Sequence, residues 1–153
     1  MPQSKVVHKK VKGGLAGLMK RAKLRGNVQI GLIDAGKHKD GDETVASIGF
    51  KHEFGVGVPE RSFLRATRKA KQTDITGMTR KLVKAILNGD MEEAKALGLL
   101  GQFTADLVKQ RIVALKRPPN VTATILAKGS SNPLIDTGQM KNSITYKVNL
   151  KGK

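Results

Sequence analysis

The stretch His52–Arg65, HEFGVGVPERSFLR, decides the fold because the local structure must change sharply within it. Gly55 and Gly57 permit positive φ values that a side chain would oppose. Pro59 fixes its own φ and lacks an N–H, which suits the first turn of a helix. The stretch therefore predicts a strand that ends in a sharp turn, followed by the start of a helix.

The polar residues of this stretch fit a structural role. Ser62 could cap the helix, or Glu60 could lie favourably near its positive end. His52 and Glu53 are neighbours on a predicted strand, so their side chains point to opposite faces and do not suit one reacting atom. We interpret them as hydrogen-bonding partners that fix the turn, or as contacts to a neighbouring subunit.

Upstream, two short apolar runs flank a polar segment. Val28–Ile33 alternates as a half-buried strand does, and Val45–Phe50 is predicted as a second strand that pairs antiparallel with it. The segment Asp34–Thr44 between them is predicted as an exposed hairpin loop. Its acidic residues and His38 lack the regular alternate spacing of a calcium loop, so no metal site is expected there.

Downstream, the apolar spacing becomes helical. Ser62–Asn88 is predicted as one helix, and Gly89 as its stop. Asp90 is the expected N-cap of a second helix that runs from Met91 to about Leu115. The spacing leaves open whether these two helices form a hairpin or one broken helix.

The last part of the chain contains loops and one clear strand. Val121–Leu126 is predicted as a strand or an extended arm. Asp136 or Thr137 is the expected N-cap of a short helix over Thr137–Ser143. Ile144–Leu150 alternates cleanly and predicts the final strand of the sheet.

Together these elements predict an α+β fold, with a small antiparallel sheet packed on one face by two main helices and with basic extended termini. We expect a single domain over residues 1–153. Residues 1–26 would form a basic N-terminal arm or short amphipathic helix docked on the sheet. Residues 27–150 would form the core, with exposed loops at 34–44 and 117–133.

The most unusual bulk property is a formal net charge of +17. No acidic residue precedes Asp34 and none follows Asp136, so the positive charge is concentrated at the two ends. Such an excess of positive charge favours a polyanionic partner. The chain has no cysteine, no apolar run of membrane-spanning length and no recognisable nucleophile–base pair, metal cluster or cofactor fingerprint. We therefore expect no enzymatic activity, no cofactor and no membrane partner.

Two blocks of sequence resemble the tailed-phage neck and tail-completion proteins, the virion morphogenesis family. The first block, over residues 48–65, follows a pattern of an apolar strand, His-Glu-x-Gly, and then Pro-x-Arg-x-Phe-[Leu/Ile]-Arg. The second, over residues 132–148, follows Pro-Leu-x-Asp-Thr-Gly-x-[Leu/Met]-x-x-Ser-Ile. The residues that carry the resemblance are His52, Glu53, Phe54, Gly55, Pro59, Arg61, Phe63, Leu64, Arg65, Asp136, Thr137, Gly138 and Ser143.

This resemblance implies a virion structural protein of the head–tail junction, present in the host cytoplasm during assembly. It implies tail completion or head–tail joining by a ring of subunits, expected to be a hexamer, around the DNA channel. The implied partners are neighbouring neck, terminator and tail-tube proteins, and DNA in the channel. Two alternatives stay open: a tail terminator that caps the tail tube, and, from another class, a basic non-specific nucleic-acid-binding protein.

Partner contacts are expected from the basic arms Lys5–Arg25 and Lys141–Lys153 and from the loop Asp34–Thr44. The individual candidates for contact with protein or DNA are Lys5, Lys9, Lys10, Lys12, Lys20, Arg21, Lys23, Arg25, Lys147, Lys151 and Lys153.

Overall fold

The computed structural model describes residues 12–39 and 41–150 of the chain. Seven helices and two strands occur within these ranges. In chain order they are α1 (Gly14–Ala22), β1 (Asn27–Leu32), α2 (Val45–Phe54), α3 (Leu64–Ala70), α4 (Gln72–Asn88), α5 (Glu93–Ala114), α6 (Thr122–Lys128), α7 (Gln139–Asn142) and β2 (Ile144–Asn149).

The two strands form one antiparallel sheet, in which Asn27 lies opposite Asn149 and Leu32 opposite Ile144. Helix α5 packs across both strands, and α4 packs against α5. The close approach of α5 to the sheet depends on Gly101, because a Cβ at that position would overlap the ring of Tyr146. The α+β class and the antiparallel sheet packed by helices are therefore confirmed.

The main core lies where α5 meets α2, α7 and the strands, and a smaller core lies between α4 and α5. The buried side chains of the main core are Val45, Phe63, Ala105, Val108, Ile112, Leu115, Leu134, Met140 and Ile144. Those of the smaller core are Leu82, Ile86 and Ala96. Aliphatic residues from segments far apart in the sequence thus make up most of both cores.

The predicted strand Val45–Phe50 is wrong, because these residues form the first part of helix α2. The extended residue Thr44 caps this helix, and its hydroxyl accepts the N–H of Ser47 at 3.1 Å. Val45 and Gly49 are buried one turn apart, which is a helical spacing. The strand that pairs with β1 is therefore not the next apolar run but β2, at the far end of the described chain.

The predicted helix Ser62–Asn88 is in fact two helices, since the backbone leaves helical geometry at Lys71. Pro59 lies in the loop before α3 and not in the first turn of a helix. Gly89 ends α4 with a φ of 76°, as expected, but Glu92 and not Asp90 occupies the N-cap position of α5. The two long helices, α4 and α5, form a hairpin.

The segment 117–133 is not simply a loop, and Val121–Leu126 is not extended, because residues 122–128 form α6. Helix α7 is shorter than predicted and has Gly138 at its N-cap position, in place of Asp136 or Thr137. Residues 141–142 belong to α7 and residues 144–149 to β2, so the described part of the C-terminal segment is not a free arm.

The predicted N-terminal helix exists as α1, but it packs against α4 and not against the sheet. The guanidinium Nε of Arg21 donates to the carbonyl of Leu87 at 3.0 Å. Two of the apolar side chains of α1, Leu15 and Met19, are largely exposed. Among the described residues, no helix has the length and apolar character needed to cross a bilayer.

Candidate functional site

The carboxylate of Glu53, which is 3% exposed, joins α2 to the start of α3. Its Oε2 accepts the backbone N–H groups of Phe63 at 2.7 Å and Leu64 at 2.9 Å. Its Oε1 accepts the N–H of Arg65 and the hydroxyl of Ser62, both at 2.8 Å. The side chain thus accepts the N–H groups at the start of α3 that have no partner within the helix, although it lies ten residues before Phe63. A side chain next to the helix start normally provides this capping.

Charge reinforces this arrangement. Arg65 Nε donates to Glu53 Oε1 at 3.1 Å, and Arg65 Nη2 donates to the carbonyl of Glu53 and to Glu60 Oε1, the latter at 2.9 Å. Burial alone would raise the pKa of Glu53, but the hydrogen bonds from the backbone N–H groups of Arg65, Leu64 and Phe63 hold it below the ordinary value of 4.5. Glu53 is therefore ionised at neutral pH and holds its partners as a carboxylate. We call Glu53, Ser62 and Arg65, with the N–H groups that Glu53 accepts, the Glu53 clamp.

The glycine turn between α2 and the clamp has the backbone that the sequence predicted. Gly55 has a φ of 72° and Gly57 a φ of 70°, and these values confirm the expectation of positive φ. Gly55 ends α2, and the N–H of Val56 returns to the carbonyl of Lys51 at 3.0 Å. A side chain at Gly55 would be strained by the φ and would press on Glu60. The turn therefore fixes the direction in which the chain leaves α2.

Arg61, also almost fully buried, anchors the same turn to the segment after α5. Its Nε donates to the carbonyl of Pro118 at 2.9 Å and its Nη2 to that of Pro119 at 3.0 Å. Its backbone N–H donates to the carbonyl of His52 at 2.7 Å. Burial lowers the pKa of Arg61, although a guanidinium stays charged in proteins. Arg61 thus connects the first block to the end of the longest helix.

The second block reaches the same corner of the molecule from the other end of the chain. Asn132 is buried, its Nδ2 donates to the carbonyl of Val113 in α5 at 3.0 Å, and its Oδ1 accepts the N–H of Leu134 at 3.1 Å. The hydroxyl of Thr137 accepts the N–H of Gln139 at 3.3 Å. Helix α7 then packs against α2, α5 and β2.

The two blocks meet at a cavity of about 190 Å³. His52 and Ile48 line it from the first block, and Asp136, Gly138 and Met140 line it from the second. Binding sites for drug-sized ligands usually enclose about 300–1,000 Å³. A cavity this small favours packing of the two blocks against each other over the binding of a ligand between them. Within residues 12–39 and 41–150, no three His, Asp or Glu side chains are grouped so that they could hold a metal ion.

The loop before α2 is tied to this corner as well. Gln139 Nε2 donates to the carbonyl of Lys37 at 2.8 Å, and Gln139 Oε1 accepts the N–H of Lys39 at 3.2 Å. Lys37 also pairs with Asp42 at 3.1 Å within the loop. The described part of the loop, predicted to be exposed, is therefore attached to α7 through its backbone while its charged side chains face solvent.

The outer side of the corner is apolar and exposed. Phe50 is 55% exposed and Phe54 50% exposed, and their ring centroids lie 4.8 Å apart on α2. Val56, half-exposed, continues the surface, and the guanidinium of Arg65 lies 4.6 Å above the ring of Phe54. We call Phe50, Phe54 and Val56 the aromatic patch. The clamp and the patch are in contact, because Arg65 of the clamp lies over the ring of Phe54.

The remaining residues of the two blocks have structural positions. Phe63 is a core side chain, Leu64 is the first residue of α3, and Ser143 follows α7, where its N–H donates to the carbonyl of Gln139 at 2.9 Å. Together with the residues above, they form one corner built from α2, α3, α7 and the loops between them.

The basic candidates are spread over several places. Lys5, Lys9, Lys10, Lys151 and Lys153 lie outside the described residues. Lys12 pairs with Asp90 at 3.8 Å, and Arg21 is bound internally to carbonyls of Leu87 and Lys12. The candidates with exposed side chains and no such internal bond are Lys20, Lys23, Arg25 and Lys147.

Sequence reasoning missed Phe50 and Asn132 and also an exposed basic stripe on α4. Phe50 was assigned to the wrong kind of element, and the partner of Asn132 lies on a helix nineteen residues away. The stripe consists of Arg80, Lys81 and Lys84, and its helical spacing is a signal that the sequence already contains.

Comparisons of the chain with protein-family models, with curated proteins and with solved structures give no match.

Proposed function

We propose that this chain is a structural subunit of a tailed-phage neck, which completes the tail or joins it to the head as part of a ring around the DNA channel. The observation that carries the proposal is the corner itself. The two blocks that resemble the virion morphogenesis family are separated by about 65 residues of sequence, yet they contact one cavity and share α2 as a support. A common position for both blocks is expected if the resemblance reflects a common fold.

The aromatic patch supports an assembling role. The chain has four Phe, one Tyr and no Trp, and two of those four Phe are half-exposed side by side. Exposed aromatic side chains beside an arginine are typical of the energetic centres of protein–protein interfaces. We propose that the patch contacts the next subunit of the ring or an adjoining neck protein. In a closed ring, each subunit would present this patch to a different surface of its neighbour.

The alternative of a tail terminator uses the same fold and the same patch and differs only in the layer that the ring occupies. The corner gives no reason to prefer one layer. We propose tail completion because both blocks resemble that group of proteins.

The test is head–tail joining in a phage that encodes this chain, with its own gene removed and variants supplied from a plasmid. Phe50→Ser/Phe54→Ser should reduce the yield of joined particles at least tenfold and leave free heads and tails, counted by electron microscopy. The far-ultraviolet circular dichroism spectrum and the free energy of unfolding of this variant should stay close to those of the parent chain, because both rings are already half exposed to water.

The matched control is Val121→Ser/Leu126→Ser, which removes two apolar side chains that are 69% and 79% exposed on and beside α6. This control should assemble normally. Normal joining with the patch variant, or equal loss with the control, would exclude the aromatic patch as the assembly surface. Normal joining with no copy of the chain at all would overturn the proposed function.

A further inference from the structure

Arg80, Lys81 and Lys84 form a basic stripe on the solvent-facing side of α4. All three side chains are exposed, as is Gly77 one turn before them, while Leu82 and Ile86 on the opposite side are buried in the smaller core. Over residues 64–88, seven basic residues stand against one acid, Asp74. The stripe is therefore a fixed feature of a long, well-packed helix and not of the terminal segments.

The stripe has no counter-charge within the described chain. Asp74 is already paired with Lys71 at 3.2 Å. The carboxylates of five other acids are engaged by Lys12, Lys37, Lys51 and Arg65. Glu93 accepts the backbone N–H groups of Arg25 and Gly26. Of the described residues, none forms an ion pair with the stripe, so its charge is open to a partner.

A second copy of the chain is a poor source of that charge. The few described carboxylates that no ion pair or hydrogen bond occupies are those of Asp34, Glu92 and Asp136, which lie in separate places along the chain. A chain with a net charge of +17 also repels its copies wherever these surfaces face each other. An external polyanion is therefore a better match for the stripe than a second copy of the chain.

The chemistry of the stripe distinguishes among polyanions. Helix α4 contains no aromatic residue, so it offers no platform on which single-stranded bases could stack. The exposed residues of α4 are polar or glycine, and the apolar Val83 and Leu87 beside Arg80 and Lys84 are partly buried, whereas a helix that lies on a membrane needs an exposed apolar side next to its basic one. Closely spaced cations on a rigid helix, with a glycine that permits close approach, suit a regular row of phosphates.

We infer that the α4 stripe binds the phosphate backbone of duplex DNA, without reading its sequence. Helix α1 also packs against α4, but its exposed Lys20 and the following Lys23 line a cavity with Ile86 and Asp90, away from the stripe. The residues of this stripe lie outside the two terminal segments, which the charge distribution of the sequence had suggested as the contacts with DNA. The contact of the stripe with DNA also does not depend on the proposed neck function, since it follows from charge and exposure alone.

The experiment measures binding of the purified full chain to a short mixed-sequence DNA duplex by fluorescence anisotropy across a salt series. The test variant is Arg80→Gln/Lys81→Gln/Lys84→Gln. The matched control is Lys109→Gln/Arg111→Gln/Lys116→Gln, which removes one arginine and two lysines from α5 and the residues after it. Because both variants lose three charges, any effect of net charge alone is the same in the two.

For three lost phosphate contacts, the slope of log K against log salt concentration should become shallower by about 2.7, which corresponds to a loss of affinity of about 500-fold near 0.1 M salt. The control should lose less than about tenfold. Equal losses in both variants, or no loss in the stripe variant, would overturn the inference. So would equally tight, stripe-dependent binding to polyglutamate or to anionic lipid vesicles, because either would assign the stripe to another kind of partner.

Discussion

The substitution Glu53→Gln tests whether the clamp determines the stability of the corner. Glutamine has the size of glutamate, but it replaces one carboxylate oxygen by an NH₂ group. If that group takes the place of Oε2, the N–H groups of Phe63 and Leu64 lose their acceptor. If it takes the place of Oε1, the backbone N–H and the Nε of Arg65 lose theirs, while the hydroxyl of Ser62 can turn to accept from the new NH₂ group. Either orientation leaves two donors facing another donor.

A buried donor without a partner costs about 1–3 kcal/mol, so the two together cost about 2–6 kcal/mol, with about 4 kcal/mol as the central value. Folded domains are stable by only about 5–15 kcal/mol, which makes this a large fraction of the total. For a chain of this length, about 4 kcal/mol corresponds to a fall in Tm of about 8–16 °C. The effect should therefore be easy to measure.

The assay is urea unfolding of the parent and variant chains followed by circular dichroism at pH 7. The control is Glu60→Gln, which removes the other carboxylate that contacts Arg65 but whose side chain is 58% exposed. Exposed ion pairs contribute about 0–1 kcal/mol, so the control should stay near the parent. A Glu53 variant within about 1 kcal/mol of the Glu60 variant would refute the clamp as the main support of this corner.

Four further outcomes follow from the same structure. Because the folded pKa of Glu53 lies below 4.5, its contribution to the free energy of unfolding is present above pH 4.5 and is lost as the pH falls through the folded pKa. When the pH is lowered through this range, the free energy of unfolding of Glu53→Gln should therefore fall by less than that of the parent chain. Gly101→Ala should destabilise the chain by about 1–3 kcal/mol in urea unfolding, because the added Cβ would overlap Tyr146, and a neutral result would contradict the close packing of α5 on the sheet. Gly77→Ala, in an open position of α4, should instead stabilise by about 0.5–1 kcal/mol, and destabilisation would contradict the exposed helical placement of this residue. Asn132→Ala should destabilise by about 1–3 kcal/mol by leaving the N–H of the buried Leu134 without its acceptor, and an unchanged unfolding midpoint would refute that role.

The elements that the sequence predicted well are those whose signals are local. Helices α4 and α5 and strands β1 and β2 each have a periodic run of apolar residues. Both ends of α5, β1 and β2 and the end of α4 fell within a few residues of the predicted positions, but α4 begins ten residues after the predicted start at Ser62. Gly89 marked the end of α4, as glycine in the left-handed region usually does.

The elements that were predicted wrongly depend on distant partners. The run Val45–Phe50 has a composition suited to a strand, but the core buries its residues with helical spacing, and tertiary packing outweighs such a weak local preference. The strand that completes the sheet lies more than a hundred residues from its partner, and no local pattern specifies that pairing.

In the candidate site too, local features were predictable from the sequence and features that depend on distant residues were not. The glycine turn was readable because positive φ is a property of single residues. The clamp was readable only in part: Glu53 was interpreted as a hydrogen-bonding partner that fixes the turn, which is confirmed. Its capping of α3 was not predicted, because Glu53 lies ten residues before Phe63 and belongs to another helix. A search limited to Ser, Thr, Asp or Asn beside the helix start therefore finds Ser62 and misses Glu53, which accepts most of the N–H groups.

The most direct test of the proposed neck function is to locate the chain in the finished particle. A labelled copy should be imaged by electron microscopy in phage whose own gene for this chain has been replaced. We expect a ring of label at the junction of head and tail, in a fixed number of copies per particle. Label along the tail shaft, or particles that contain none of the chain, would contradict the account.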